Sequence, residues 1–133
     1  MVSSLNTGSA ARSVGYNVLE VIATRIQAVA AGSTVTARIG KIPAGSIIAR
    51  VHSRVAVAIT GGTPVLSVGS LGDAGLDDVV ATMAETAGSE DLQPLTAFVN
   101  PLTSDKELYA SIAGGATAGD AWVSVEFFRP QAG

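Results

Sequence analysis

The chain has 133 residues, enough for one hydrophobic core and too few for two ordinary domains. Hydrophobic residues make up 47% and charged residues only 14%, against about 25% charged in an average globular chain, which excludes disorder and points to a surface partly covered by other protein. The net charge of −3, the eight scattered basic residues and the absence of cysteine exclude a clustered phosphate-binding surface, disulfides, thiolate metal sites and a cysteine nucleophile.

Residues 1–15 are rich in Ser, Ala and Gly with the single charge Arg12, and read as an N-terminal arm that either frays or orders on a neighbouring subunit. Residues 16–133 read as one folded domain. The start of the chain lacks a basic stretch followed by an apolar core, so no signal peptide is expected, and the protein is expected to be made and kept in the cytoplasm or to leave it by cell lysis. Val18 to Ala30 has two readings. Leu19, Ile22, Ile26 and Val29 share a helical face that Gly32 would end, whereas the β-branched content favours a strand, and the strand is preferred.

Thr34 to Ile39 alternates, with Val35, Ala37 and Ile39 inward. Pro43 and Gly45 make Ile42 to Ser46 a chain reversal. Ser46 to Thr60 is the clearest strand: Ile47, Ala49, Val51, Ser53, Val55, Val57 and Ile59 occupy one face, and Arg50, His52 and Arg54 the other. Gly61-Gly62 suits a tight hairpin into a short strand, Pro64 to Gly69. The turn also breaks the uncharged run Val55 to Gly72 well short of the ~20 apolar residues of a membrane span. Leu76 to Ala84 is the one helix candidate, with Asp77 and Asp78 at its start. Leu95 to Val99, Glu107 to Ala113 and Asp120 to Phe128 complete the strands, with Gly114-Gly115 and Gly119 between the last two. The final strand has Trp122 and Phe128 opposite its apolar face, so cover on both sides is expected. The fold expected is all-β: a single β-sandwich or jelly-roll-like domain of about seven or eight strands, with one short helix and the arm.

Chemistry is sparse. His52, the one histidine, sits between two arginines with no acid nearby in its own strand, which argues against a nucleophilic triad. One His and no Cys cannot build the usual zinc site, and Asp73, Asp77 and Asp78 lack EF-hand spacing. Gly40 to Gly45 lacks the Lys-Ser/Thr of a phosphate loop. Glu90-Asp91 and Asp105/Glu107 read as solvated acids rather than a glycosidase pair. Neither a catalytic residue, a cofactor nor a metal is expected. The stripe of Arg50, His52 and Arg54, spaced about 7 Å apart along one face, is the polar feature best suited to an acidic partner surface.

Gly40-Lys41-Ile42-Pro43-Ala44-Gly45-Ser46-Ile47-Ile48, Gly61 to Gly69, Glu107 to Ala110 and Ala116 to Phe128 together resemble small β-rich virion proteins of tailed bacteriophages. The resemblance spans roughly Arg38 to Phe128. One departure is Ile59-Thr60, where the group has an aromatic-Asn pair. The resemblance implies a virion location and a capsid decoration (cement) protein, or alternatively a neck, tail or fibre-base component. Its partners would be the major capsid protein or other virion proteins, and itself as a homo-oligomer, with a trimer the first expectation; no direct nucleic-acid or membrane contact is expected. A carbohydrate-binding attachment module is the reading from a different class. Arg50, His52, Arg54, Trp122, Phe128 and Arg12 are the candidate subunit-interface residues.

Overall fold

The computed structural model describes residues 19–28 and 34–129; the arm at 1–15 and Arg12 lie outside the described residues. Eight strands follow one another: β1 (Leu19–Gln27), β2 (Val35–Ile42), β3 (Ile47–Thr60), β4 (Val65–Ser70), β5 (Val80–Met83), β6 (Gly88–Leu92), β7 (Lys106–Ala113) and β8 (Ala118–Phe128). They form two four-stranded antiparallel sheets, in the orders β1-β8-β3-β6 and β2-β7-β4-β5. The inner faces meet in one apolar core, with Ile26, Val51, Val123, Val125 and Phe127 from the first sheet and Ile42, Leu66, Val68, Leu108 and Ile112 from the second. The architecture is a β-sandwich, and strand alternation produces it: Leu108, Ala110 and Ile112 face inward, as do Ala121, Val123, Val125 and Phe127. Of the ambiguous segment Val18 to Ala30, Leu19–Gln27 is strand β1, and Val18, Val29 and Ala30 lie outside the described residues.

Two bulges alter the expected facing of β3. Its register against β8 shifts between Ile48 and Arg50, so Ile48 is buried and Ile47 faces outward opposite Phe128. A second shift between Val55 and Val57 turns Val57 out, opposite Asp120. Strict alternation had put both Ile47 and Val57 inward. The Gly61-Gly62 turn also differs from expectation. Both glycines have positive φ (100° and 59°), but the turn carries the chain from one sheet to the other and closes no hairpin. It packs instead on the β7–β8 connection, where Thr63 N–H donates to Gly114 O (2.9 Å) and Thr117 N–H to Thr60 O (2.8 Å).

The expected helix at Leu76 to Ala84 is not formed, and no helix occurs among the described residues. The segment is a strap that runs over the outer face of β4 and then enters β5. Ser67 Oγ–H donates to Leu76 O (3.0 Å), while the Asp78 carboxylate accepts from Ser70 N–H (2.7 Å) and Ser70 Oγ–H (2.5 Å). Asp78 therefore caps a strand end rather than a helix start, and the Asp73 carboxylate likewise accepts from Asp77 N–H (2.9 Å). A Cβ at Gly69 would overlap the Leu76 backbone and stand 2.5 Å from Asp77 N, so only glycine lets the strap lie this close. Leu95 to Val99 is a loop rather than a strand, held to the residue before β5 by Leu95 N–H donating to Val79 O (2.7 Å). The Asn100 side chain then pairs both backbone groups of Ile48, each at 3.0 Å.

Candidate subunit-contact surface

The outer face of the sheet β1-β8-β3-β6 is open, whereas the strap lies over part of the other sheet's outer face. The register fixes its side chains in rows. Leu19, Phe128 and Ile47 form one end, followed by Val21, Glu126 and Arg50, then by Ala23, Ser124, His52 and Asp91. Arg25, Trp122, Arg54 and Ser89 make the next row, and Gln27, Asp120 and Val57 the last. Arg50, His52 and Arg54 thus share one face, as the alternation implied. Trp122 and Phe128 lie on it too. Trp122 is 51% exposed, so nothing in the described chain covers this side of β8, contrary to the expectation of cover on both faces.

The acids that meet the basic stripe come from the sheet itself. Arg50 pairs with Glu126 (2.9 Å) and lies 3.7 Å from Asp91. His52 Nδ1 is 2.6 Å from Asp91 Oδ1, and since an ionised carboxylate only accepts, Nδ1 bears the hydrogen. The hydrogen bond from His52, with the nearby Arg50 charge, holds the Asp91 carboxyl below its ordinary range against the opposing effect of desolvation. Arg25 forms a two-point fork on Asp120 (2.9 and 2.6 Å), which lowers the Asp120 pKa in the same way. Arg54 differs. Its one hydrogen bond is a long one to Ser89 Oγ (3.4 Å), and it is the sole described arginine without a carboxylate partner.

The sequence missed Asp91 as a partner of His52 because that contact joins two strands 39 residues apart. With it, the row reads Asp91, His52, Ser124. No hydrogen bond links His52 to Ser124 among the described residues, and an activated nucleophile needs that link. Among the described residues, no three His, Asp or Glu side chains converge to hold a metal.

The sandwich architecture recurs in phage capsid structures. A chain of the cyanophage Pam1 capsid asymmetric unit aligns at 20% identity with a TM-score of 0.58, covering 87% of each chain. A chain of the acid-stable capsid of Helicobacter pylori bacteriophage KHP30 aligns at 15% identity and 0.63, covering 87% of this chain and 91% of that one. The capsid of Ralstonia phage GP4 contributes another at 16% identity and 0.57, covering 85% and 86%. The likeness shows a shared fold. No protein-family model matches the sequence, and no curated protein does either.

Of the seven exposed large apolar side chains among the described residues, four, Leu19, Val21, Val57 and Trp122, lie on this one face. Two of the others, Leu95 and Val99, line a cleft of about 470 Å³ between the strap and the 95–103 loop, together with Asp77, Phe98 and Lys106. A strand stripe is legible in sequence. The cleft is not, because it arises where two irregular segments meet.

Proposed function

We propose that this chain is a non-enzymatic structural component of a phage virion, of the capsid decoration type, and that it stabilises a shell by contacts between protein subunits. The observation that carries the proposal is the open β1-β8-β3-β6 face, where exposed Trp122, Val21 and Leu19 surround ion pairs already satisfied within the sheet. Large apolar side chains left exposed together on one sheet face suit a contact site. The strand orders β1-β8-β3-β6 and β2-β7-β4-β5 support reading the sandwich as a jelly roll, an architecture used by viral capsid domains and by lectins. The phage capsid chains that share the fold support the virion setting.

On this reading, Arg50, His52, Arg54, Trp122 and Phe128 lie at subunit contacts, Arg12 and residues 1–15 form an arm that reaches a neighbour, and the protein works as a homo-oligomer, a trimer in the first instance, seated on a major capsid protein. A stable seat buries about 1,200–2,000 Å² in total. A lectin-like role has exposed Trp122 in its favour, but the aliphatic Leu19, Val21 and Val57 on the same face suit a protein partner better. Cryo-electron microscopy of purified particles of the encoding phage tests the proposal. Density for the sandwich on the shell, with this face against another subunit, is the expected result. Particles that lack the protein refute it, and density confined to the neck or tail replaces decoration with an accessory role.

A further inference from the structure

Two surfaces of this chain have matching chemistry. On the open face, Trp122 lies directly between Arg25 and Arg54 in the strand register. Asp120 holds Arg25, which leaves the Arg54 guanidinium without a carboxylate among the described residues. On the second surface, the cleft between the strap and the 95–103 loop presents exposed Leu95 and Val99 and the wall of Phe98. Asp77, exposed, also lines it, and among the described residues its carboxylate accepts no hydrogen bond and joins no ion pair. The fold's own pairing therefore leaves a cation beside one exposed apolar cluster and an anion beside another.

Exposed Trp and Arg side chains are the commonest interface anchors, and such anchors fill pockets on their partners. At about 470 Å³ the cleft lies within the range of pockets that hold small ligands, and it has room for an indole. Lys106, which has no ion pair among the described residues, also lines it, and an ammonium over an indole face is favourable.

We infer that copies of this chain associate head to tail, with Trp122 of one copy seated in the cleft of the next and Arg54 paired with Asp77 at its rim. The contact joins two different surfaces, so it repeats into a closed ring or an open stack according to the rotation between copies. It deepens the reading of the open face as a subunit contact and rests on that reading.

The full chain provides its own probe, because Trp122 is its single tryptophan and all indole emission reports on that side chain. As concentration rises, the emission moves to shorter wavelength in step with the mass measured by analytical ultracentrifugation. Arg54→Glu and Asp77→Arg each weaken association at least about tenfold, with the circular dichroism of the monomer unchanged. Mixing the two variants restores association between unlike chains, because each contact between them then joins opposite charges. The double exchange restores it within one chain. A species that stays monomeric at all concentrations overturns the inference, and so does association that Asp77→Arg leaves intact. A monomeric protein that is still found on particles overturns this pairing alone and leaves the shell role standing. Head-to-tail association in a protein missing from particles does the reverse.

Discussion

Replacing Gly69 with Ala probes the strap and the cleft together. No positive φ is required at Gly69, so the backbone itself accepts alanine and the objection is steric. The new Cβ would overlap Leu76 and stand 2.5 Å from Asp77 N, all backbone atoms that no rotamer change can clear. Two outcomes compete. If the strap lifts away, it loses the Ser67 bond, worth about 0.5–1.5 kcal/mol, and the two bonds to Asp78, worth about 1.5–3 kcal/mol each as bonds to a charged acceptor. If instead it shifts by a fraction of its thickness, overpacking costs about 1–3 kcal/mol. The cheaper route prevails, and the smaller entropy of the unfolded alanine chain returns about 0.4–1 kcal/mol. A net loss of about 1–2 kcal/mol results. In urea, with a slope of about 2 kcal/mol per molar, the midpoint followed by circular dichroism falls by roughly 0.5–1 M. A midpoint within about 0.2 M of the parent refutes the close approach of the strap. Since Asp77 and Asp78 line the cleft, the same substitution displaces one cleft wall.

Three further outcomes follow from contacts already described. The Asp91 and Asp120 carboxyls are held below their ordinary value of 3.8, so the stability they contribute is complete above that value and disappears as the pH falls through their lower folded-state values. Asp120→Asn flattens this acid-side decline in a pH series of urea midpoints, and an unchanged slope contradicts the Arg25–Asp120 fork. Ser53 is buried with no hydrogen-bond partner for its hydroxyl among the described residues, so Ser53→Ala leaves stability unchanged or raises it by up to about 1 kcal/mol; a clear loss reveals a partner. Asn100→Ala removes both side-chain bonds to Ile48 and costs about 1–2 kcal/mol, measured by the same unfolding series, and a cost below about 0.3 kcal/mol shows that water replaces them.

Most of the sandwich was legible because long strands with one buried face must alternate. β8 and β7 show this most clearly, and β3 shows its limit, since a bulge adds a residue without leaving any mark in the pattern. β6 escaped detection because Gly88-Ser89-Glu90-Asp91-Leu92 is an edge strand with few apolar groups to alternate. The strap read as a helix because Asp77 and Asp78 suit a helix start, while their actual roles depend on Ser70 and Asp73, whose proximity only the folded chain creates. The site followed the same division. Arg50, His52, Arg54 and Trp122 share the face that alternation gave them, whereas the acids that neutralise Arg50 and His52 come from other strands.

The position of β1 has a kinetic consequence. Its ladder partner is β8 alone, so the first described strand pairs with the last, with Leu19 opposite Phe128. At translation speeds of about 5–20 residues per second, β1 leaves the ribosome several seconds before its partner exists. Contacts this distant along the chain also slow the search for the native arrangement. Completion of this sheet therefore waits until β8 has been made, and a nascent chain stalled before Ala118 leaves the nine residues of β1, Leu19, Val21, Ile22 and Ile26 among them, without a ladder partner.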